Sequence, residues 1–467
     1  MKKADYIDIK RVLRVSTVEG IFAQIFTTMS GVGSVFVTKM AVMLGATAMQ
    51  FGILSAIGQF SQIFQPIGWI LTRRRAERKQ ITVIFAAIGR GMAFIFGLLP
   101  FIMGWDRAMW IFLLLFTVSV SLEAISGNAW IAWISDLIPT RFRGRFFSVR
   151  NQYLMIAGVI TGYIVGFVVD LFDKNPGSLA KMLLDKPGLA EVFNPSGQPM
   201  LFLGIFSLAT IIGSIVLVLL TRQPERPKPV ESTPVARMLL EPFRDKNFRR
   251  LVIFGFWWML ATGIGAPFWQ PFMIKKLGMS VLSIQVYGTI STVFSLLALK
   301  PWGKIIDHFG NKNAMRIGII LGGLNPLLWL FVSPENYWLL YVEAATSGIM
   351  WSGVGIVMIN FVLSISGKEK RQVYSGINGA VNGVGMMLTM LLSGALIPKT
   401  GSIGGFDMEP EQVLFLITGL ARWTALIPLI WIDESRAKGV GDMIVSMSRY
   451  AKVRLARMAW WKPVGKM

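Results

Sequence analysis

The chain has no cysteine and a single histidine, His308, in 467 residues. Disulfides, thiolate metal sites and cysteine nucleophiles are thereby excluded, as are multi-histidine metal cages and histidine proton relays. Charge is also scarce, at 15% of residues against 54% hydrophobic, which excludes a soluble multidomain enzyme and a disordered scaffold. Acidic residues number 25 against 47 Lys and Arg, a formal charge of +22. A nucleic-acid partner is not expected, because long apolar runs separate the basic residues; the chain reads as a polytopic membrane protein with basic loops. No strand precedes a Gly-x-Gly pair and no Walker lysine follows one, so the glycines form no nucleotide loop. No catalytic triad or metal-binding run occurs either, and neither enzymatic activity, a cofactor nor a metal is expected. The basic start, Met1–Arg14, leads into an apolar segment too long for a signal h-region, with no small-residue cleavage site after it, so no cleaved signal peptide is expected.

What is present is a series of apolar runs, each long enough to cross a hydrocarbon core, which takes about 20 residues. They lie near 17–44, 47–71, 80–104, 108–135, 150–172 and 199–221, then near 250–274, 280–303, 314–333, 336–365, 374–397 and 411–433. The expected fold class is an all-α polytopic membrane protein with twelve transmembrane helices in two six-helix halves. Of the 47 Lys and Arg residues, 37 fall in the two terminal segments and the loops on the same side. Arg107, Lys174, Lys181, Lys186, Lys275, Lys276 and Lys399 lie on the other side, and Lys39, Arg90 and Arg422 fall inside spans. Positive charge collects on the cytoplasmic side, so both termini are expected there, in a multi-pass protein of a bacterial inner (plasma) membrane. The segments are a cytoplasmic arm 1–16, a first half 17–221, a proline-rich linker 222–249, a second half 250–433 and a tail 434–467. In the tail, Val440, Ile444, Met447, Ala451, Leu455 and Met458 recur at helical spacing with Arg449, Lys452, Arg454 and Arg457 between them. This describes a basic amphipathic helix lying on anionic lipid.

The two halves echo each other. Pro66-x-Gly68 ends the second span and Pro301-x-Gly303 the eighth; Gly31-Val32-Gly33 in the first span answers Gly263-Ile264-Gly265 in the seventh. Glu123-Ala124 and Glu343-Ala344 open corresponding stretches of the fourth and tenth spans, and Trp130 and Trp351 follow them. The loop after the eighth span, with Gly303, Asp307, His308, Gly310 and Lys312, resembles the Gly-x-x-x-Asp-basic-x-Gly-basic motif of the major facilitator superfamily. The first-half copy keeps Gly68 but has Thr72 and Arg75 where the family has Asp and Gly. The resemblance covers residues 15–435 and implies two rocking six-helix halves with the fourth and tenth spans bordering a central cavity. The motif's charges can form gating contacts at helix ends: Asp307 in the second half, and in the first Asp136, within reach of Arg73, Arg75 or Arg78.

Ionisable groups inside a membrane mark functional sites, since each costs roughly 2.5–3.5 kcal/mol to insert. Glu123 and Arg90 lie about 18 and 15 Å from the same surface, at 1.5 Å per residue. They form an expected ion pair, either structural or part of a proton-coupling site with Glu343. Ser347 and Trp351 share a face with Glu343. Gln24, Asn128, Trp130, Gln152, Tyr153, Trp269, Asn378 and Asn382 complete the candidate substrate cavity. Pro267 and Pro271 break the seventh span. Arg422 in the twelfth, a span the resemblance makes peripheral, is expected to snorkel, contact lipid or pair with a group not visible in the sequence. The expected function is secondary active transport of a small solute by alternating access. Proton coupling and a lean towards efflux of amphipathic compounds go with it, in a monomer. The competing reading is a transporter-like fold used as a lipid scramblase or membrane assembly factor.

Overall fold

The structure, a computed structural model, describes residues 9–64, 71, 78–225, 240–366, 371–398, 401–403 and 406–434. Gly68, Arg73, Arg75, half of the linker and the amphipathic tail fall outside them. The first half comprises α1 (Ile9–Ser30), α2 (Val35–Met43), α3 (Ala48–Gln62), α4 (Arg78–Ile102), α5 (Trp105–Leu137), α6 (Thr140–Leu171), the short α7 (Ser178–Leu184) and α8 (Leu189–Val192), and α9 (Gln198–Thr221). The second comprises α10 (Lys246–Gly263), α11 (Trp269–Lys275), α12 (Val281–Phe309), α13 (Asn311–Leu328), α14 (Leu339–Ile365) and α15 (Arg371–Ala395). A two-stranded hairpin, β1 (Gly401–Ile403) and β2 (Phe406–Met408), precedes α16 (Pro410–Thr424) and α17 (Leu426–Ile430).

Ten helical segments among the described residues are long and apolar enough to cross a membrane. The expected second and seventh spans are not among them. The second runs into residues outside the described set. The seventh leaves the helix at 264–268, and α10 carries Lys246, Arg249 and Arg250 in its first turns. Pro267 explains the break: a proline offers no N–H to the preceding turn and its ring clashes with it. The first span is interrupted at the matching place. Gly33 takes φ +76°, a conformation that favours glycine, and the Ser34 hydroxyl accepts from the amide of Phe36 to restart the helix. The repeated Gly-x-Gly pairs therefore mark two broken helices.

Contacts define two ends. At one, which we call the basic end, bonds run within each half. In the first, Gln223 reaches the Val12 carbonyl at 3.1 Å and Trp133 that of Pro224 at 2.9 Å. In the second, Asn247 bonds the Asp433 carbonyl and the Asn311 amide bonds Glu434. Separate apolar clusters form there, one around Val12, Trp133, Leu137 and Leu220, the other around Phe248, Trp302, Met315 and Phe361.

At the opposite end a single apolar cluster takes in both halves, with Phe36, Met40, Phe112 and Phe202 packed into the same core as Phe268, Phe272, Trp329 and Phe415. Burial of this kind contributes about 25 cal/mol per Å² of apolar surface, and hydrogen bonds sharpen it. Thr38 on α2 donates to Gln270 Oε1 on α11 at 2.6 Å, and Gln270 Nε2 donates back to the Gly33 carbonyl at 3.0 Å. Asp170, fully buried at the end of α6, accepts from the amides of Val281 at 2.6 Å and Leu282 at 3.1 Å. A carboxylate of one half thus caps a helix of the other, where free amides and the helix dipole favour negative charge. Alongside, a Cβ on Gly52 of α3 would sit 2.8 Å from the Met390 carbonyl of α15, so only glycine lets these backbones meet.

Replacing Asp170 with Ala should weaken this closure, since a charge-assisted bond to backbone contributes about 1.5–3 kcal/mol. The natural absence of cysteine gives a clean readout: a Thr38→Cys/Gln270→Cys protein should be joined by a short thiol cross-linker, and Asp170→Ala should cut the yield severalfold. An unchanged yield would show that the cap does not hold the halves together.

Candidate functional site

A cavity of about 740 Å³ lies between the halves. Its polar wall is built from neutral side chains on broken or crossing helices: Gln24 and Thr28 of α1, Gln59 of α3, Gln270 of α11 and Gln285 of α12. Aromatic faces supply the rest. Trp269 is pinned by stacking on Phe415, with ring centroids 4.0 Å apart and planes 12° from parallel, and by Trp329 at 4.7 Å. Trp351 lines the wall with its edge against Trp258 at 6.1 Å.

One carboxylate stands in this wall. Glu343 on α14 is 4% exposed, and its Oε2 accepts from the Tyr287 hydroxyl of α12 at 2.7 Å. Ser347 follows it one turn later and also lines the cavity. Arg422 of α16 closes the same wall and is 4% exposed. It neither snorkels nor faces lipid. Nη1 donates to the Gly322 carbonyl of α13 at 2.9 Å, and the guanidinium lies 5.7 Å from the Trp351 ring and 6.0 Å from that of Trp258. Phe415 and Thr418, two turns and one turn before it, are fully buried, so the helical spacing of these three residues held the signal that Arg422 faces inward.

The first half holds its charges outside this cavity. Arg90 Nε donates to Glu123 at 3.1 Å and Nη2 at 3.5 Å, so the two residues of matched depth do meet. The Ser119 and Ser126 hydroxyls bond the Gly89 and Thr82 carbonyls at 2.7 and 2.9 Å. With Glu123 between them at i+4, they form a polar face that fastens α5 to α4. A second buried pair was not visible in the sequence: Arg150 of α6 meets Glu19 of α1 at 3.4 Å and the Ser16 carbonyl at 3.0 Å. The span boundary expected at 150 made Arg150 a loop charge, whereas α6 begins at Thr140 and carries it inside.

The remaining candidates divide. Gln24, Trp269, Ser347 and Trp351 line the cavity with Glu343; Asn128, Trp130, Gln152, Tyr153, Asn378 and Asn382 do not. Trp130 lies under Arg150 at 4.5 Å. Gln152 and Tyr153 are exposed on α6. Asn378 and Asn382 are buried, each with an Oδ1 that has no partner among the described residues. Of the gating set, Asp136 pairs with Arg78 Nη1 at 2.6 Å, within the first half. Gly310 turns α12 into α13 at φ +86°. A Cβ at Gly303 would meet open space, and Asp307 is exposed. Lys312 donates to the Ile430 and Ile432 carbonyls at 2.7 and 2.8 Å, tying α13 to α17 within the second half.

This arrangement of two helical bundles around a polar, aromatic cavity defines the class as an all-α polytopic membrane fold. A model of the Major Facilitator Superfamily matches residues 251–443. The chain is 26% identical over 171 residues to the sugar transporter ERD6-like 6 of Arabidopsis thaliana, covering 36% of this chain and 31% of that protein. It is also 26% identical over 113 residues to the class H tetracycline resistance protein of Pasteurella multocida, covering 24% and 26%. It thus spans about a third or less of the length of these curated relatives. Among solved structures, the nucleoside transporter NupG superimposes with a TM-score of 0.64 at 16% identity over 91% of this chain and 99% of the other. A bacterial homologue of the human lysosomal transporter Spinster, inward-facing and unoccupied, gives 0.55 at 17% identity over 91% and 94%. The likeness to these structures shows the fold, and the match to the family model falls within the second half of the chain.

The two kinds of ion pair should respond differently to mutation. Arg150→Met strands Glu19 in a buried site and should cost about 3–5 kcal/mol; Asp136→Asn, at a partly exposed pair, should cost under about 1 kcal/mol. Thermal unfolding midpoints in detergent compare them, and equal losses would refute the distinction.

Proposed function

We propose that the protein is a secondary active transporter, moving a small amphipathic solute by alternating access and coupled to protons. One observation carries this reading: a cavity between two halves that, among the described residues, are joined at one end, with Glu343 the carboxylate in its wall. The positive charge of the basic end supports a cytoplasmic side for it, in a bacterial inner membrane, and on this reading the open end faces the cytoplasm. Rocking about the cavity would break the contacts of Asp170, Thr38 and Gln270 and bring the basic ends together, where exposed Asp307 is available for a cross-half contact and the Arg78–Asp136 pair borders it. Asn128, Trp130, Gln152, Tyr153, Asn378 and Asn382 then border the route to the basic end.

Coupling needs a carboxylate whose proton affinity differs between access states. Glu343 meets this requirement, because Tyr287 and Arg422, the groups that favour its charged form, sit on two other helices of the same cavity wall. Glu123 keeps Arg90 within one rigid half and has the lesser part. The neutral amides and tryptophans suit a molecule with an apolar ring and a polar rim. The relative named for tetracycline resistance favours export of such compounds. Anionic lipid under the C-terminal tail, and a monomer, complete the reading.

In proteoliposomes offered a panel of labelled aromatic acids, aromatic amines and neutral nucleosides, Glu343→Gln should reduce pH-gradient-driven transport at least tenfold while leaving solute exchange intact. Driven transport at the wild-type rate would exclude Glu343 as the coupling group.

A further inference from the structure

Arg422 is a buried cation without an ion-pair partner among the described residues. Each of the four cations buried in the first half has a carboxylate: Lys39 has Asp173, Arg78 has Asp136, Arg90 has Glu123 and Arg150 has Glu19. Among the described residues Arg422 meets the Gly322 carbonyl on Nη1 and the two tryptophan rings, and its buried Nε–H finds no acceptor. Glu343 shares the wall, yet its Oε2 is taken by Tyr287 and no ion pair joins it to Arg422. An unpaired buried charge is costly, and a methionine here would avoid that cost. The guanidinium presents a planar fork of donors, a geometry that matches an oxyanion.

We infer that Arg422 is a binding residue for an oxyanion, and that the solute is an amphipathic organic monoanion whose carboxylate docks on this guanidinium with its ring against Trp351 and Trp269. The inference rests on the transporter reading for the word solute, though not for the site itself. The neutral remainder of the wall fits a single-charge ligand: Gln59, Gln270 and Gln285 satisfy polar substituents without adding charge. Among the described residues Glu343 is the anionic group that faces the same space, so its charge opposes the incoming carboxylate.

The test is equilibrium binding to the purified full chain in a maltoside detergent, with no gradient present. The probes are 1-naphthylacetate, 1-naphthylacetamide and 1-naphthylmethylamine, which share a ring and differ in charge. The acetate should bind at least tenfold more tightly than the other two, a difference of about 1.4 kcal/mol. Arg422→Gln should abolish the preference and Arg422→Lys should keep part of it. Should Arg422→Gln misfold, Glu343→Gln provides a change in the opposite direction: removing the competing charge should tighten acetate binding severalfold. Equal affinities, preference for the amine, no binding of any probe, or an Arg422→Gln protein that binds the acetate as before would each overturn the inference. Displacement of the acetate by phosphatidylglycerol would reassign the oxyanion to a lipid headgroup and overturn the soluble ligand. An Arg422-dependent anion preference without gradient-driven transport would defeat the transporter reading alone. Driven transport of amines or nucleosides with no anion preference would defeat this inference alone.

Discussion

Hydrocarbon offers a charge no partner, so every ionised group carried into the membrane must find one inside the protein or remain costly. Much of this architecture follows from that constraint. Arg90 and Glu123 hold α4 to α5, Arg150 and Glu19 hold α6 to α1, and Lys39 and Asp173 fasten α2 to the end of α6. Asp170 meets its requirement across the boundary between halves, on the first amides of α12. The pairs decide which helices move together, and the Asp170 cap decides where the halves meet.

The sequence made the membrane class and ten of the expected spans legible because these depend on composition over twenty residues at a time. It also made the Arg90–Glu123 pair legible, because depth along two helices can be counted at a fixed rise. It failed where a contact depends on which way a helix is rotated or where it begins. Arg150 lies in α6 because that helix starts ten residues before the expected boundary. Arg422 was placed by the rule that its span is peripheral, whereas Phe415, Thr418 and Arg422 turn one face of α16 inward. Asp170 and Gln270 could not be read at all, since their partners are backbone groups in the other half, and a sequence does not display free amides or carbonyls.

The halves share a plan and differ in use. Both begin with a broken helix, and both place a glutamate at corresponding points, Glu123 and Glu343. In the first half that carboxylate is engaged by an arginine on the neighbouring helix; in the second it accepts from a tyrosine and stands in the cavity wall. The match to the family model falls on the second half, where the cavity's glutamate and arginine reside. Pseudo-symmetry of the backbone thus coexists with an asymmetric distribution of chemistry.

The paired breaks at 31–34 and 264–268 have a kinetic consequence. A continuous helix can be bent sharply only by sacrificing hydrogen bonds along its length, which makes such bending slow. Here the two chains already lack those bonds where they touch, and Gly33 and Gln270 satisfy each other across the gap. The activation barrier to a change of shape at this point is therefore set by exchanging a few side-chain contacts, not by unwinding backbone, so single substitutions at Thr38 or Gln270 tune the speed of the protein independently of the stability of its helices.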